Sequence, residues 1–258
     1  MDQSRKRRAN SPLTSGISAK KPKQEVSALS IKTQKQHDNS PALLKLPNSN
    51  VDIDSDWAQQ YRIPNLPGAD VYYQADFVDE ERANSWYQLL CELETWYRPT
   101  LTMYGKGYIQ SRSIAGYVTS PDLTARYSGH SVQMNHPYPP LLIEIQNRVS
   151  EALGVGFDHI MLNWYQNGSV HIGKHRDTKD NQVIASLSLG AKRTFVMHPH
   201  ISKGEKKVDA DATRWVLANG SLLVMQGDTQ ENWKHEIPKE PKVKEGRISL
   251  TFRQIVHA

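Results

Sequence analysis

The sequence predicts an α+β protein in which N-terminal helices pack on a β-sandwich or jelly roll. Residues 79–96 have the apolar spacing of an amphipathic helix, and residues 139–153 lie between signals that begin and end a helix. Beyond them the pattern changes to many short runs that are typical of strands. Helices that precede a long series of short strands indicate a helical layer packed on a sandwich or jelly roll.

Each predicted helix has its own local signal. In the first, apolar residues recur at i, i+3, i+4 and i+7, which is the stripe of an amphipathic helix. The stripe consists of Trp86, Leu89, Leu90, Leu93 and Trp96. The second begins near Pro139 and Pro140, because proline is tolerated in the first turn of a helix, and Gly154 is well placed to end it.

Seven strands are predicted downstream of the second helix. Each is a short run of four to seven residues, and we find no internal repeat. The predicted strands cover residues 160–165, 183–189, 193–197, 214–217, 222–225, 234–237 and 247–252.

The chain divides into a basic tail over residues 1–50, a linker over 51–69 and a folded domain over 70–258. The tail carries ten Lys/Arg and three Asp/Glu, a net charge of +7, whereas the other 208 residues carry 22 and 24. It is rich in Ser, Lys, Gln, Asn and Pro and has no sustained apolar period, so we predict that it is disordered.

Two basic clusters in the tail, residues 5–8 and 20–23, are separated by eleven residues. This spacing resembles a bipartite nuclear import signal, and we expect a nuclear protein. The alternative, which is compatible with import, is a solvated basic arm that adds nonspecific affinity for nucleic acid.

Composition excludes several classes of protein. The single cysteine, Cys91, excludes an intramolecular disulfide framework and fits a reducing compartment. No run of about 18 apolar residues occurs, so we expect no membrane span. The N-terminus lacks the apolar stretch of a secretory signal. We expect a monomer.

A candidate metal site combines His175, Asp177 and His235, the last of which follows Asp177 by 58 residues in another predicted strand. At a strand end, residues two apart point the same way, so His175 and Asp177 can contact one ion. Two imidazoles and one carboxylate can occupy one face of an octahedral ferrous ion and leave three positions open. An isolated H-x-D pair is weaker evidence, since it is more often a loop histidine beside a solvated aspartate.

A candidate anion site lies in the last strand, where polar and apolar residues alternate. Arg247, Ser249, Thr251 and Arg253 share one face of that strand. Two inward-facing guanidiniums are costly unless an anion neutralises them, and an arginine binds a carboxylate through two parallel hydrogen bonds. The alternative is an outward polar face with solvated arginines. Their position, twelve and eighteen residues after His235, favours a site for Fe(II), a keto acid and O₂, and therefore oxidative chemistry.

Several motifs in the same order give the chain a resemblance to the AlkB-type nucleic-acid dealkylases of the Fe(II)/2-oxoglutarate dioxygenase superfamily. The resemblance runs from roughly residue 70 to the C-terminus. The motifs are residues 163–165, 171–177, 184–190, 220–225, 235 and 247–253. It implies a double-stranded β-helix (jelly roll) with N-terminal helices packed on the sheet.

The same resemblance implies roles for the matching residues. The expected iron ligands are His175, Asp177 and His235. The expected contacts of 2-oxoglutarate are Asn163, Tyr165, Arg247, Thr251 and Arg253. Of these, Arg247 resembles the arginine that binds the far carboxylate of 2-oxoglutarate, and Arg253 matches a second family arginine near the Asp ligand.

The implied activity is oxidative demethylation of N-alkylated bases in DNA, with RNA as an open alternative. Decarboxylation of 2-oxoglutarate is coupled to hydroxylation of the N-alkyl group, and an aldehyde is released. Tyr127 resembles the aromatic residue that stacks on the damaged base, and Arg112 lies in a segment that resembles the substrate-recognition lid.

One position departs from the family pattern. Some members that repair cationic bases have an acidic residue directly after the H-x-D motif, where this chain has Thr178. Asp180 can take its place only if the loop curls back, so the preferred lesion and strand type stay open. Two other functions also remain: a protein side-chain hydroxylase or demethylase on the same scaffold, and a catalytically silent nucleic-acid binding module.

Overall fold

Two β-sheets that face each other form the centre of the protein, and helices cover the outer face of one of them. The computed structural model describes residues 41–44, 46, 52–103, 106–123, 126–127, 130–178, 181–200 and 210–255. The helices are α1 (Ser55–Tyr61), α2 (Glu80–Cys91), α3 (Pro140–Leu153) and α4 (Thr229–Asn232). The strands are β1 (Asp70–Gln74), β2 (Thr100–Met103), β3 (Lys106–Ile109), β4 (Ser113–Val118), β5 (Arg126–Tyr127), β6 (His130–Ser131), β7 (Met134–Asn135), β8 (His159–Tyr165), β9 (Ile172–His175), β10 (Asn181–Gly190), β11 (Arg193–Pro199), β12 (Thr213–Leu217), β13 (Ser221–Gln226), β14 (Trp233–Ile237) and β15 (Arg247–Ile255).

The chain from β8 to β15 winds through the two sheets as a jelly roll. The seven-stranded sheet has the order β1-β13-β10-β15-β8-β4-β7, and the four-stranded sheet has the order β12-β11-β14-β9. Strands β8, β10, β13 and β15 lie in the larger sheet, while β9, β11, β12 and β14 lie in the smaller one. The chain therefore crosses between the sheets at almost every connection, which confirms the predicted double-stranded β-helix.

The larger sheet separates two apolar cores, because successive side chains of a strand point to opposite faces. On β10, Ala185 and Leu187 pack in the core that contains the buried residues of α2 and α3. Ile184 belongs to the core shared with the smaller sheet, and Ser186 lines a cavity there. The helices thus cover one face, and the other face is left to build the site.

Both predicted helices are confirmed, although α2 ends five residues before the predicted boundary. Its apolar stripe continues past Cys91 because Leu93 and Trp96 also pack on the core. The Trp96 indole N–H donates to the carbonyl of Leu90 at 2.8 Å, which satisfies a carbonyl at the helix end. α3 ends as expected at Gly154, which has a φ of 68°. None of the helices in the described residues is long and apolar enough to cross a bilayer.

All seven predicted strands are present, but others were not predicted, among them β1, β4 and β9. β4 is buried along its whole length, so it has no polar alternation to reveal it. Its Gly116 also weakens the strand signal. A Cβ at Gly116 would lie 2.6 Å from Met134 Sδ, so glycine allows β7 to approach β4 closely.

The assignment of residues 51–69 to a linker is wrong for the residues that the structure describes. Ile53 and Trp57 are buried in the core, and the Asp54 N–H donates to the carbonyl of Leu153 at 2.8 Å. The Trp57 indole donates to Gln74 Oε1 of β1 at 3.0 Å. The sequence did not reveal α1 because a helix of seven residues is too short to show an amphipathic period.

The end of the stretch predicted to be a disordered tail also contacts the domain. The Leu44 N–H donates to Asn147 Oδ1 and the Asn147 side-chain amide donates to the carbonyl of Ala42, both at 2.8 Å. Leu43 packs against the core. Residues 1–40, with both basic clusters, lie outside the described residues, and their predicted disorder stays a prediction.

Trp57→Ala is expected to destabilise the domain by about 3–5 kcal/mol, since it leaves a large cavity and removes the hydrogen-bond donor of Gln74 Oε1. Thermal unfolding of the full chain measures this change. Trp57→Phe is the control, because it keeps most of the buried ring and should lose less. A Trp57→Ala protein that melts with the parent would restore the linker assignment.

Candidate functional site

A cavity between the two sheets brings together eight residues predicted to belong to the site. They are Asn163, Tyr165, His175, Asp177, His235, Arg247, Thr251 and Arg253. The rest of the lining is mainly apolar and consists of Ile172, Ser186, Phe195, Leu217, Leu223, Met225, Ile237 and Ser249. Polar groups that converge in a mostly apolar cavity are typical of a binding site.

His175 and His235 are neighbours because β9 and β14 pair in that register. Their ring centroids are 4.3 Å apart, and the His235 ring stacks on Phe195. Nδ1 of His175 lies 2.9 Å from the carbonyl of Gly173, and we assign the proton to this nitrogen because a carbonyl only accepts. The lone pair on Nε2 is then available to bind a ligand in the cavity.

Burial keeps both imidazoles neutral, which is the form that binds metals. Burial lowers the pKa of His175, although Asp177 opposes the shift. The pKa of His235 is lowered to about 3, mainly by burial and secondly by the neighbouring His175. Both rings are therefore neutral at neutral pH.

Asp177 follows β9, and two of its atoms form hydrogen bonds. Its backbone N–H donates to Gln230 Oε1 at 2.9 Å, and its Oδ1 accepts from Nη2 of Arg253 at 2.8 Å. Its Oδ2 is directed towards Nε2 of His235, 4.0 Å away. Burial by itself raises the pKa of Asp177, but Arg253 and the two histidines lower it to about 2, so the carboxylate is ionised.

These donors suit a divalent transition metal in type and charge. The distance between His235 Nε2 and Asp177 Oδ2 is somewhat longer than the distance between two ligand atoms of one metal. Ligand atoms about 2.1 Å from a metal and at right angles are about 3 Å apart. The separation between His235 and Asp177 is longer, and no three His, Cys, Asp or Glu side chains among the described residues are already closed around a point. A metal would draw these two side chains together by about 1 Å.

Arg247 is the clearest sign of an anionic ligand. Its side chain is 2% exposed, and its Nη2 donates to Ser188 Oγ at 2.8 Å and to Ser249 Oγ at 3.3 Å. Nε and Nη1 are buried without a hydrogen-bond partner in the described part of the chain. Burial lowers the pKa of Arg247 to about 10, while Tyr165 acts in the opposite direction. The group thus stays charged and has room for an acceptor.

The polar residues around Arg247 form a connected group. Ser186 Oγ lies 3.0 Å from Ser249 Oγ and 3.4 Å from Thr251 Oγ1. The sequence pattern singled out Ser249 on the last strand but neither Ser186 nor Ser188 on β10. The signal was available, because these serines alternate with buried apolar residues on β10 and share the face of Arg247 on β15.

Arg112 lies just before β4 and is 5% exposed. Its Nε donates to Asn163 Oδ1 at 2.8 Å. Its charge also contributes to the lowered pKa of His175, after burial and the effects of Asp177 and Gly173. The structure therefore places Arg112 at the edge of the histidine and Asn163 group.

The other two predicted substrate residues, Tyr127 and Asp180, fall wholly or partly outside the part of the chain that the structure describes. Tyr127 forms β5, where its backbone pairs with His130, and its side chain is outside the described residues, as is Asp180. Thr178 directly follows Asp177, and its Oγ1 accepts from the side-chain amide of Asn181 at 2.8 Å.

The fold and the cavity define a jelly-roll protein with a His/Asp/His donor set beside a buried arginine. A model of the 2OG-Fe(II) oxygenase superfamily matches residues 70–253. The chain belongs to this superfamily and, within it, to the AlkB-type oxygenases. Fe(II), 2-oxoglutarate and O₂ are the metal and cosubstrates of this class, as the sequence predicted.

Relatives of known name support this placement. The chain is 33% identical to the alpha-ketoglutarate-dependent dioxygenase alkB homolog 3 of Bos taurus, over 69% of this chain and 64% of that protein. It is 34% identical to the DNA oxidative demethylase ALKBH2 of Homo sapiens, over 73% and 74%. The corresponding values for the Arabidopsis thaliana ALKBH2 are 31%, 73% and 67%. The chain thus spans slightly less than two thirds of the alkB homolog 3 protein.

Proposed function

We propose that the protein is an Fe(II)/2-oxoglutarate-dependent dioxygenase that removes N-alkyl groups from bases in DNA. The observation that carries the proposal is the buried guanidinium of Arg247, which has unpaired donors in the same cavity as His175, Asp177 and His235. Two relatives that cover most of the chain are named DNA oxidative demethylases. This supports a nucleic-acid substrate over a protein side chain.

In the proposed site, His175, Asp177 and His235 hold the iron. Their types support this role, because two neutral imidazoles and one carboxylate leave a ferrous ion with open positions. Arg253 orients Asp177 by binding Oδ1, so that Oδ2 is the oxygen directed at the metal side. Such outer partners fix a ligand and tune it.

Arg247 binds the far carboxylate of 2-oxoglutarate through Nε and Nη1, the two nitrogens that have no partner in the described protein. Ser188 and Ser249 hold its third nitrogen. Tyr165, Asn163 and Thr251 complete the cosubstrate site in the cavity lining. Because the site is buried, the contact between arginine and carboxylate is screened little by water.

When bound, the iron supplies the activation of O₂ together with 2-oxoglutarate, which leaves as succinate and CO₂ while one oxygen atom enters a C–H bond of the N-alkyl group. The N-hydroxyalkyl product loses an aldehyde, which restores the base. The residues of this chain bind, orient and exclude water. A base inside a duplex must be turned out of the stack to reach such a cavity, so a flat side chain near the entrance is required.

The decisive experiment measures formaldehyde and succinate together, with Fe(II), 2-oxoglutarate and O₂ supplied. Oligonucleotides that contain 1-methyladenine or 3-methylcytosine, as DNA and as RNA, are compared with unmodified oligonucleotides and methylated peptides. We expect formaldehyde from methylated DNA in equal amount to the extra succinate. Formaldehyde from peptides alone would replace this proposal with a protein demethylase.

Tyr127→Ala is expected to lower nucleic-acid affinity by about 1–3 kcal/mol, if Tyr127 stacks on the extruded base. Tyr127→Phe is the matched control and should keep most activity, because the ring face matters more than the hydroxyl. Succinate formed without substrate should survive both changes. A joint loss of thermal stability and uncoupled turnover in Tyr127→Ala would instead assign the residue to packing.

The basic tail supports a nuclear location, and we propose a monomer that acts there. Asp180 and Arg112 remain proposed substrate contacts. Arg112 is the better supported of the two, because its guanidinium lies beside Asn163 at the edge of the cavity.

A further inference from the structure

Arg193, the first residue of β11, is buried at 1% exposure and has no assigned role. Its Nε donates to Glu240 Oε2 at 2.9 Å. Its Nη2 donates to the carbonyls of Val170 at 2.9 Å and Pro238 at 2.7 Å. One guanidinium therefore collects acceptors from two separate loops, the one between β8 and β9 and the one between β14 and β15.

These two loops are also bonded to each other. The Glu240 N–H donates to the carbonyl of Gly168 at 2.7 Å, and the Gly168 N–H donates to the carbonyl of Val243 at 2.9 Å. A Cβ at Gly168 would lie 1.9 Å from the carbonyl oxygen of Glu240, so only glycine fits. Glu240 further accepts from the backbone and the hydroxyl of Thr194. Arg193 and Glu240 thus join the β8–β9 loop to the β14–β15 loop. We call these two residues and the two loops that they join the loop knot.

The loop knot lies where the proposed cosubstrate residues begin and end their strands. β8 ends at Tyr165 and β15 begins at Arg247, and the two residues are cross-strand partners. Two guanidiniums lie close to the Tyr165 ring, with Cζ of Arg247 at 5.3 Å and Cζ of Arg193 at 5.6 Å from its centroid. Both contacts are within the range of a cation–π interaction.

The two guanidiniums beside Tyr165 differ in their ionic partners. Arg193 is neutralised by Glu240, whereas no carboxylate in the described residues is hydrogen-bonded to Arg247. Replacing the Arg193 side chain removes one of the two cation–π contacts of Tyr165 and the hydrogen bonds that hold both loops. Arg247 and Tyr165 would then lose their fixed separation, on which a bidentate carboxylate contact depends.

We propose that Arg193, held by Glu240, is a positioning residue that fixes Tyr165 and Arg247 for the distal carboxylate of 2-oxoglutarate. The inference rests on the proposed role of Arg247. It makes the loop knot a determinant of selectivity for dicarboxylic 2-oxo acids over monocarboxylic ones, because only the former have a carboxylate at that end of the cavity.

The test compares Arg193→Gln and Glu240→Gln in the full chain. Calorimetry without O₂, with Mn(II) in place of iron, measures the Kd of 2-oxoglutarate and of 2-oxobutyrate, which lacks the distal carboxylate. We expect Arg193→Gln to raise the Kd of 2-oxoglutarate by about tenfold, which is the lower end of what loss of an outer partner costs. Glu240→Gln should raise it less, because Arg193 keeps its carbonyl contacts. The Kd of 2-oxobutyrate should not change.

His198→Gln is the matched control, because His198 lies on the same strand and its pair with Glu236 at 2.8 Å is far from this end of the cavity. Equal weakening of both 2-oxo acids, or no weakening, would overturn the inference. If Arg193→Gln does not fold, Glu240→Gln decides by the same criterion. Arg247→Gln separates the two proposals. Unchanged binding of 2-oxoglutarate in that variant would reject the proposed cosubstrate site itself. A large loss of binding in Arg247→Gln, with no loss in the loop knot variants, would reject only the role of Arg193.

Discussion

Asp177→Ala is expected to abolish turnover and to weaken iron binding by more than the roughly 10–100-fold that loss of an outer partner costs. The change removes the anionic member of the donor set and leaves two neutral imidazoles. It also leaves Arg253 buried without its carboxylate, since the two side chains are 5% and 9% exposed. Breaking such a buried pair costs about 3–5 kcal/mol, so the metal-free protein should also melt earlier.

Anaerobic titration with Fe(II), succinate release and thermal unfolding measure these three effects. Asp177→Asn separates them, because an amide oxygen can still accept from Arg253 while the charge is lost. We expect the asparagine variant to recover part of the stability and little of the activity. Turnover near that of the parent at limiting iron would contradict the ligand assignment.

Arg247→Ala is expected to weaken the binding of 2-oxoglutarate by about 2–5 kcal/mol, which is roughly 30-fold to several thousandfold in affinity. A buried, two-point contact with a carboxylate is lost. Arg247→Lys should restore little, because an ammonium is a point charge without the planar fork. Calorimetric titration with 2-oxoglutarate measures the change, and an unaltered Kd would place the anion site elsewhere.

The structure adds a second expectation for this position. Without its ligand, Arg247 is a buried cation with two unpaired nitrogens, an arrangement that destabilises the fold. Arg247→Met should therefore melt at the same temperature as the ligand-free parent or higher. Added 2-oxoglutarate should raise the Tm of the parent and not of the variant. Such a trade of stability for function is expected at a binding site.

Local patterns in the sequence were sufficient for much of the fold. Alternation in β10 and β15 is visible in the residues themselves, because a strand with one face in a core and one in a polar cavity must alternate. The prolines at its start and Gly154 at its end revealed α3. Strand β4 was missed because it is buried throughout, and α1 because seven residues are too few for a period.

Residue types and their order were enough to predict the chemistry of the site, with two imidazoles, one carboxylate and two arginines in an order that resembles one superfamily. Residue types and spacing carry that information, since metals and carboxylates select their partners by chemical type.

Which of these groups lie in contact depends on the pairing of distant strands. The register of β9 with β14 places His175 beside His235, and the pairing of β8 with β15 places Tyr165 beside Arg247. The loop knot around Arg193 joins residues more than 40 positions apart. No local pattern encodes such contacts, because they depend on strand pairing and loop packing over long sequence separations, where burial of the whole sheet sets the register.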